Sequence, residues 1–149
     1  MKKIYLRNTK KYTFIDDEDW VKTKDYRWYD DHGYVRSGSF GKKIYLHRLV
    51  MDFPEGQIDH KNRNPLDNRK VNLRVCSDMD NKRNMAAYKN NKSGYKGVTL
   101  FKGKYWRATI VVDKQQKALG HYVSALEAAK AYDKAALKYF GEFARINGA

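Results

Sequence analysis

Cysteine is nearly absent: Cys76 is the only one in 149 residues. A single thiol excludes an intramolecular disulfide framework and any zinc site built on paired cysteines, and it makes a reducing, cytoplasmic compartment the default. Long apolar runs are missing too. No stretch approaches the ~20 residues that a transmembrane helix needs. The opening MKKIYLRNTKKYTF has basic residues but no continuous apolar core, so a secretory signal is not expected. There is no short repeat and no low-complexity segment. Acidic residues are scarce: 17 Asp and Glu stand against 31 Lys and Arg, a formal net charge of +14. That surplus on so small a body favours a polyanionic partner, most simply nucleic acid, with an anionic membrane surface as the competing reading.

Aromatic residues, by contrast, are plentiful at 14%, with 12 Tyr. A disordered polycation would lack them, so the chain should fold as one domain or two very small ones. The charge is uneven. Residues 57–91 carry 8 basic and 4 acidic side chains, and residues 92–149 carry 11 and 4, so the C-terminal third is the most basic. The polar stretch from Lys89 to Gly94 is the best internal boundary. We read three parts: a β-rich segment at 1–46, a central unit at 47–91 and a C-terminal unit at 92–149.

Before Met51 the pattern is one of short strands. Tyr34-Val35 and Lys43 to Leu46 flank the turn-rich SGSFG, a hairpin signal, and Asp16 to Lys24 forms one short helix around Trp20. Two short strands follow, Gln57 to His60 and Leu73 to Cys76, separated by a long polar loop. Ser77 with Asp80 three residues on starts a helix expected to reach about Tyr88. Farther on, Gly97 to Phe101, Trp106 to Val112 and Lys117 to Tyr122 read as three strands. Trp106, Ala108, Ile110 and Val112 alternate with Arg107, Thr109, Val111 and Asp113, the period of a half-buried sheet. Ser124 to Glu127 is a capping box. The helix it opens should run to about Tyr139, with Leu126, Ala129, Tyr132, Ala136 and Tyr139 on its apolar side.

The segment from Ile58 to Asn84 is dense in groups suited to phosphodiester hydrolysis, which needs a base for water and a divalent ion at the scissile phosphate. His60 is a natural base, since imidazole titrates near neutral pH. Asp59 is a hard oxygen ligand suited to magnesium or manganese. As strand neighbours the two point to opposite sides unless the strand is distorted. The helix after Ser77 can supply a second ligand, with Asn81 about one turn in and Asn84 as the alternative. Arg69 and Arg74 are candidates to hold phosphates. His47 reads as a packed histidine, and His32 and His121 as surface residues.

Asp59-His60, then Asn72 twelve residues after the histidine, then Asn81 nine further on, resembles the HNH nucleases, close to their phage and intron-encoded homing branch. The preceding IYLHRLVM and the LDNR and NLR framing are similar to that branch as well. The resemblance implies a ββα-metal unit. It implies Asp59 and Asn81 as metal ligands with Mg2+ or Mn2+, His60 as general base, and Asn72 as the residue that ties the loop so that His60 is oriented. The zinc-binding cysteines of some HNH relatives are absent here, so no structural zinc is expected, and no small-molecule organic cofactor is expected either. A neutral Asn ligand also implies modest metal affinity. A bacterial or phage-infected host cell is the corresponding setting.

Lys96, Lys104, Arg107 and Lys117 fall on or beside the three C-terminal strands. A sheet of that size can enter the major groove, where cations neutralise phosphates and Thr or Arg reach base edges. The residues YKGV, GKYWRATI, LGHY and SALEAAKAYDKAALKYFG…ARIN resemble the Apetala-two/ethylene-response-factor DNA-binding domain, over about Ser93 to Asn147. That resemblance implies Lys96, Thr99, Arg107 and Thr109 facing DNA. The plant domains carry a Trp where this chain has Ala118, and Thr99 and Val111 replace arginines of the plant pattern, so the plant target sequence should not carry over.

The expectation is therefore an α+β chain: a β-rich N-terminal segment and a ββα-metal HNH unit, then a three-stranded antiparallel sheet packed on one helix. Its expected activity is site-specific, divalent-metal-dependent cleavage of double-stranded DNA. One such site cuts one strand, so a monomer should nick. The alternatives are a DNA-binding regulator with a vestigial site, a binder of branched DNA or RNA, and, last, a membrane-surface protein.

Overall fold

The computed structural model describes residues 1–149 except Ser39, Phe40 and Tyr88. The chain divides into two compact units, residues 1–81 and 82–149. Both are built on antiparallel sheets with a few helices.

In the first unit, β1 (Lys2–Tyr5) and β2 (Tyr12–Ile15) form an antiparallel pair. Alternation turns Thr13 and Ile15 fully inward, while Tyr5 on the other side stays exposed. A 3-10 turn at Asp17–Asp19 leads into α1 (Trp20–Thr23). β3 (Tyr29–Asp31), β4 (Tyr34–Ser37) and β5 (Ile44–Tyr45) make a three-stranded sheet in the order β3-β4-β5. α2 (Leu46–Val50) follows directly, and then β6 (Gln57–His60) pairs with β7 (Leu73–Cys76). Leu6, Ile15, Trp28, Val35, Leu46, Val50, Ile58 and Leu73 form one core. The Trp28 indole N–H, buried there, donates to the Thr23 carbonyl at 3.0 Å, as a buried polar group must.

The hairpin expected around residues 34–46 is present, but its second strand stops at Tyr45; the Ser39 and Phe40 part of its turn lies outside the described residues. Leu46 opens α2 instead of closing the strand. Leu46 and Val50 are one turn apart and both fully buried, so helical spacing serves the core better there than a strand would.

The helix after Ser77, α3 (Asp78–Asn84), is shorter than expected, and Tyr88 lies outside the described residues. Its start is capped as read: the Asp80 N–H donates to Ser77 Oγ at 3.1 Å. Its end is closed by a residue far along the chain. The Lys96 ammonium donates to the carbonyls of Arg83 and Met85 at 2.6 and 2.8 Å, satisfying acceptors that a further helical turn would have used.

In the second unit, β8 (Val98–Phe101), β9 (Tyr105–Val112) and β10 (Gln115–Tyr122) form a sheet in the order β10-β9-β8, backed by α4 (Ala125–Phe140). Ser124 and Glu127 make the capping box at 3.2 and 3.3 Å. The expected apolar side of α4 needs correcting. Leu126 and Tyr139 are 45% and 41% exposed, whereas Ala128, Ala135 and Phe140 join Ala129, Tyr132 and Ala136 in the core. Small alanines let the helix backbone approach the sheet, while Leu126 and Tyr139 stay partly in solvent. Gly97 serves the same closeness: its φ is +75°, and a Cβ there would run into the Tyr132 ring.

Candidate active site

The β6–β7 hairpin carries a long loop, and that loop is held by its own amides. The Asn72 side chain accepts from the Asn62 N–H at 2.9 Å and donates to the Asp67 carbonyl at 2.8 Å. Asn62 Nδ2 donates to Asp67 Oδ2 at 2.9 Å. Arg69 Nε and Nη2 donate to the two oxygens of the same carboxylate, each at 2.7 Å, which holds the Asp67 carboxyl below its usual range. Strand β2 secures the loop from outside: the Phe14 N–H donates to the Leu66 carbonyl and the Asn68 N–H to the Phe14 carbonyl, at 2.9 and 2.8 Å.

His60 is the last residue of β6 and is 5% exposed. Its Nε2 lies 3.1 Å from Asn68 Oδ1. His47 sits edge-on at 5.6 Å between ring centroids, and Tyr34 stands at 6.2 Å. Burial pushes the His60 pKa down, opposed by the Asn68 hydrogen bond and the charges of Asp59 and Asp67. His47 is lowered to about 4, by burial first and then by His60 and Arg48. Both rings are therefore neutral near pH 7. His47, read from sequence as packed, is packed, and it belongs to α2 in contact with the His60 ring.

Asp59 is 7% exposed, and its Oδ2 accepts from Arg74 Nε and Nη2 at 3.0 and 2.7 Å. The register runs unbroken, with Asp59 opposite Arg74 and His60 opposite Leu73. Asp59 and His60 therefore point to opposite faces of the hairpin, as strand alternation dictates. Gln57 shares the Asp59 side of β6, and its Oε1 accepts from Asn81 Nδ2 at 2.6 Å. That bond uses the Asn81 nitrogen on the side of β6 that bears Asp59. Asn84, the alternative, is buried.

Among the described residues, no group of three or more His, Cys, Asp or Glu could hold a metal. A carboxylate and an amide oxygen nevertheless suit magnesium, which keeps much of its water and takes remaining ligands from phosphate. The oxygens of Asp59 and Asn81 have the chemistry such an ion takes, and the Asp59 carboxylate is engaged by Arg74.

On the C-terminal sheet, Thr99 lies opposite Arg107, and Arg107 opposite His121. These residues, with Thr109, occupy the face away from α4. Arg107 stacks over Phe101 at 5.3 Å, its Nε is buried without a hydrogen-bond partner, and Phe101 packs on His121 at 4.6 Å. Lys104 is exposed in the β8–β9 turn. Lys117 lies opposite Ile110, on the helix side of the sheet, with its ammonium 5.8 Å from the Tyr139 ring. His121, read from sequence as a surface residue, is exposed and packs on Phe101, which sequence reasoning does not single out because their meeting depends on strand register.

A family model for HNH endonucleases matches residues 45–83. The chain is also 30% identical over 144 residues to an uncharacterized HNH endonuclease of Acanthamoeba polyphaga mimivirus, covering 91% of this chain and 74% of that one. The chain belongs to the HNH endonuclease family. It is a nuclease of a family that acts on DNA and generally uses a divalent metal. It is 38% identical over 65 residues to protein 3.8 of Escherichia phage T7, covering 42% of this chain and 54% of that one. The matched segment runs from Tyr45 through the His60 hairpin into α3. No helix among the described residues is long and apolar enough to cross a membrane.

Proposed function

We propose that this HNH protein is a site-specific, divalent-metal-dependent DNA endonuclease of the homing type that nicks duplex DNA. The observation that carries the reading is that Asp59, His60, Asn72 and Asn81 stand on one hairpin and helix within the matched segment. Asp59 and Asn81 would hold magnesium or manganese. When bound, that ion supplies charge neutralisation at the scissile phosphate and its leaving oxygen. His60 takes a proton from the attacking water, and its neutral, buried ring is ready for that role at pH 7. His60 closes its strand, so a phosphate lying across the end of β6 is reached from both faces of the hairpin. Asn72 ties the loop.

In this reading residues 1–46 brace the nuclease unit at 47–91, and residues 92–149 bind the target like an Apetala-two/ethylene-response-factor domain. Support for the latter is the sheet face that α4 leaves open, with Thr99, Arg107 and Thr109 on it. Lys104 and Lys117 add phosphate neutralisation from the turn and rim. The ammonium of Lys96 is engaged with backbone carbonyls, and Arg69 and Arg74 with carboxylates. These three serve DNA only by exchanging those partners for phosphate.

The test is incubation with supercoiled plasmid bearing a randomised target library, in low salt with magnesium, beside His60→Ala. Relaxed product is expected, falling by about 100-fold or more in the variant. Linear product would indicate cutting of both strands. Duplex binding without cleavage would replace the nuclease reading with a regulator whose site is vestigial.

A further inference from the structure

We propose that Asn68, locked by Thr13 of the N-terminal hairpin, is the positioning residue of His60 and fixes which ring nitrogen carries the proton. The inference rests on the reading of His60 as the base. It starts from the Asn68 amide, which is 1% exposed. Its Nδ2 donates to Thr13 Oγ1 at 2.8 Å and to the Pro65 carbonyl at 3.1 Å.

Two independent facts forbid the opposite orientation of this amide. A carbonyl only accepts, so the atom facing Pro65 must be the NH2 group. Thr13 has one hydroxyl proton and gives it to the Leu66 carbonyl at 2.7 Å, so toward Asn68 its oxygen can only accept. Flipping Asn68 would set two acceptors against each other at both places, between side chains that are almost wholly buried. Asn68 Oδ1 therefore faces His60, and an amide oxygen cannot donate.

The consequence falls on His60. With an acceptor 3.1 Å from Nε2, that nitrogen must carry the proton. The neutral ring then has its lone pair on Nδ1, the nitrogen directed away from Asn68. The chain of bonds runs from the Leu66 carbonyl through the Thr13 hydroxyl and the Asn68 amide to the imidazole. Each link has one allowed sense. Thr13 is fully buried on β2, whose backbone also pins the loop on either side of Asp67. The hairpin at the beginning of the chain thus sets the protonation geometry of a ring 47 residues later in sequence. Asn72, by contrast, makes its loop bonds to Asn62 and Asp67.

The decisive measurement is the histidine tautomer in the full-length protein, read from imidazole 15N shifts with His60 assigned against His60→Ala. Wild type should show Nε2–H. Asn68→Ala should lose that preference, and single-turnover nicking should fall by about 10- to 100-fold while duplex affinity stays unchanged. Thr13→Val should shift the tautomer in the same direction, and Thr13→Ser, which restores the hydroxyl, should return it. This pair decides the matter if Asn68→Ala fails to fold. An Nδ1–H wild type overturns the proposal, as does an unchanged tautomer in a folded Asn68→Ala or Thr13→Val. A protein that shows the expected tautomers but cleaves no DNA would overturn the nuclease reading and leave the positioning intact.

Discussion

Oδ2 of Asp59 accepts hydrogen bonds from Arg74 Nε and Nη2, at 3.0 and 2.7 Å. The two residues face each other across β6 and β7 and are both nearly buried. A divalent ion at Asp59 therefore has to share or displace a guanidinium. Replacing Arg74 by Gln removes two charge-assisted bonds from a buried carboxylate, which should cost on the order of 3 kcal/mol without metal. Magnesium should restore more of the melting temperature in Arg74→Gln than it adds to wild type. Scanning calorimetry with and without magnesium checks this, and an equal response in both proteins would show that the ion does not use Asp59.

Arg107 and Lys96, both expected to face DNA, should behave differently. Arg107 stands on the open sheet face with a buried, unpartnered Nε, so Arg107→Ala should weaken duplex binding by about 1–3 kcal/mol. Lys96 closes the end of α3, so Lys96→Ala should lower the melting temperature and leave the salt slope of binding where it was. Fluorescence anisotropy over a salt series separates them. A slope that drops by about one in Lys96→Ala would return that residue to the phosphate contacts.

His47 makes stability depend on pH. Its pKa is about 4 in the fold against 6.5 for the free side chain, so between those values the unfolded chain takes up a proton that the folded one refuses. The stabilisation is complete above pH 6.5 and is lost as pH falls toward 4. At the lower end the loss is on the order of 3 kcal/mol for this group. His47→Gln should flatten the decline in melting temperature over that window. A decline of equal steepness in the variant would assign it to other groups.

Gly97 should tolerate no side chain. Alanine there would be strained at φ +75° and would push into Tyr132 and the Thr109 carbonyl. Gly97→Ala should destabilise the second unit by about 3 kcal/mol or more. Loss of cooperative melting in the far-ultraviolet dichroism of the variant is the expected reading; a wild-type curve would mean that Tyr132 moves aside freely.

Residue order alone settled the elements whose signals are local. The strands at 57–60 and 73–76, the Ser77 and Ser124 caps and the alternation of β9 were all legible, because periodicity and capping act within a few residues. So was the spacing of Asp59, His60, Asn72 and Asn81. The β1–β2 hairpin was not assigned, since its inward residues Thr13 and Ile15 find their purpose only against the loop at 65–68. The end of α3 depended on Lys96, and the buried side of α4 on how closely its alanines let it approach the sheet. Asn68 lay in plain view within LDNR, but an amide between Asp and Arg reads as solvated loop. Only burial and the contact with Thr13 turn it toward His60. Short-range bonding was written in the order of residues. Which polar groups lost water, and so had to find partners, was decided by packing across more than fifty residues, and that is where the orientation of the candidate base resides.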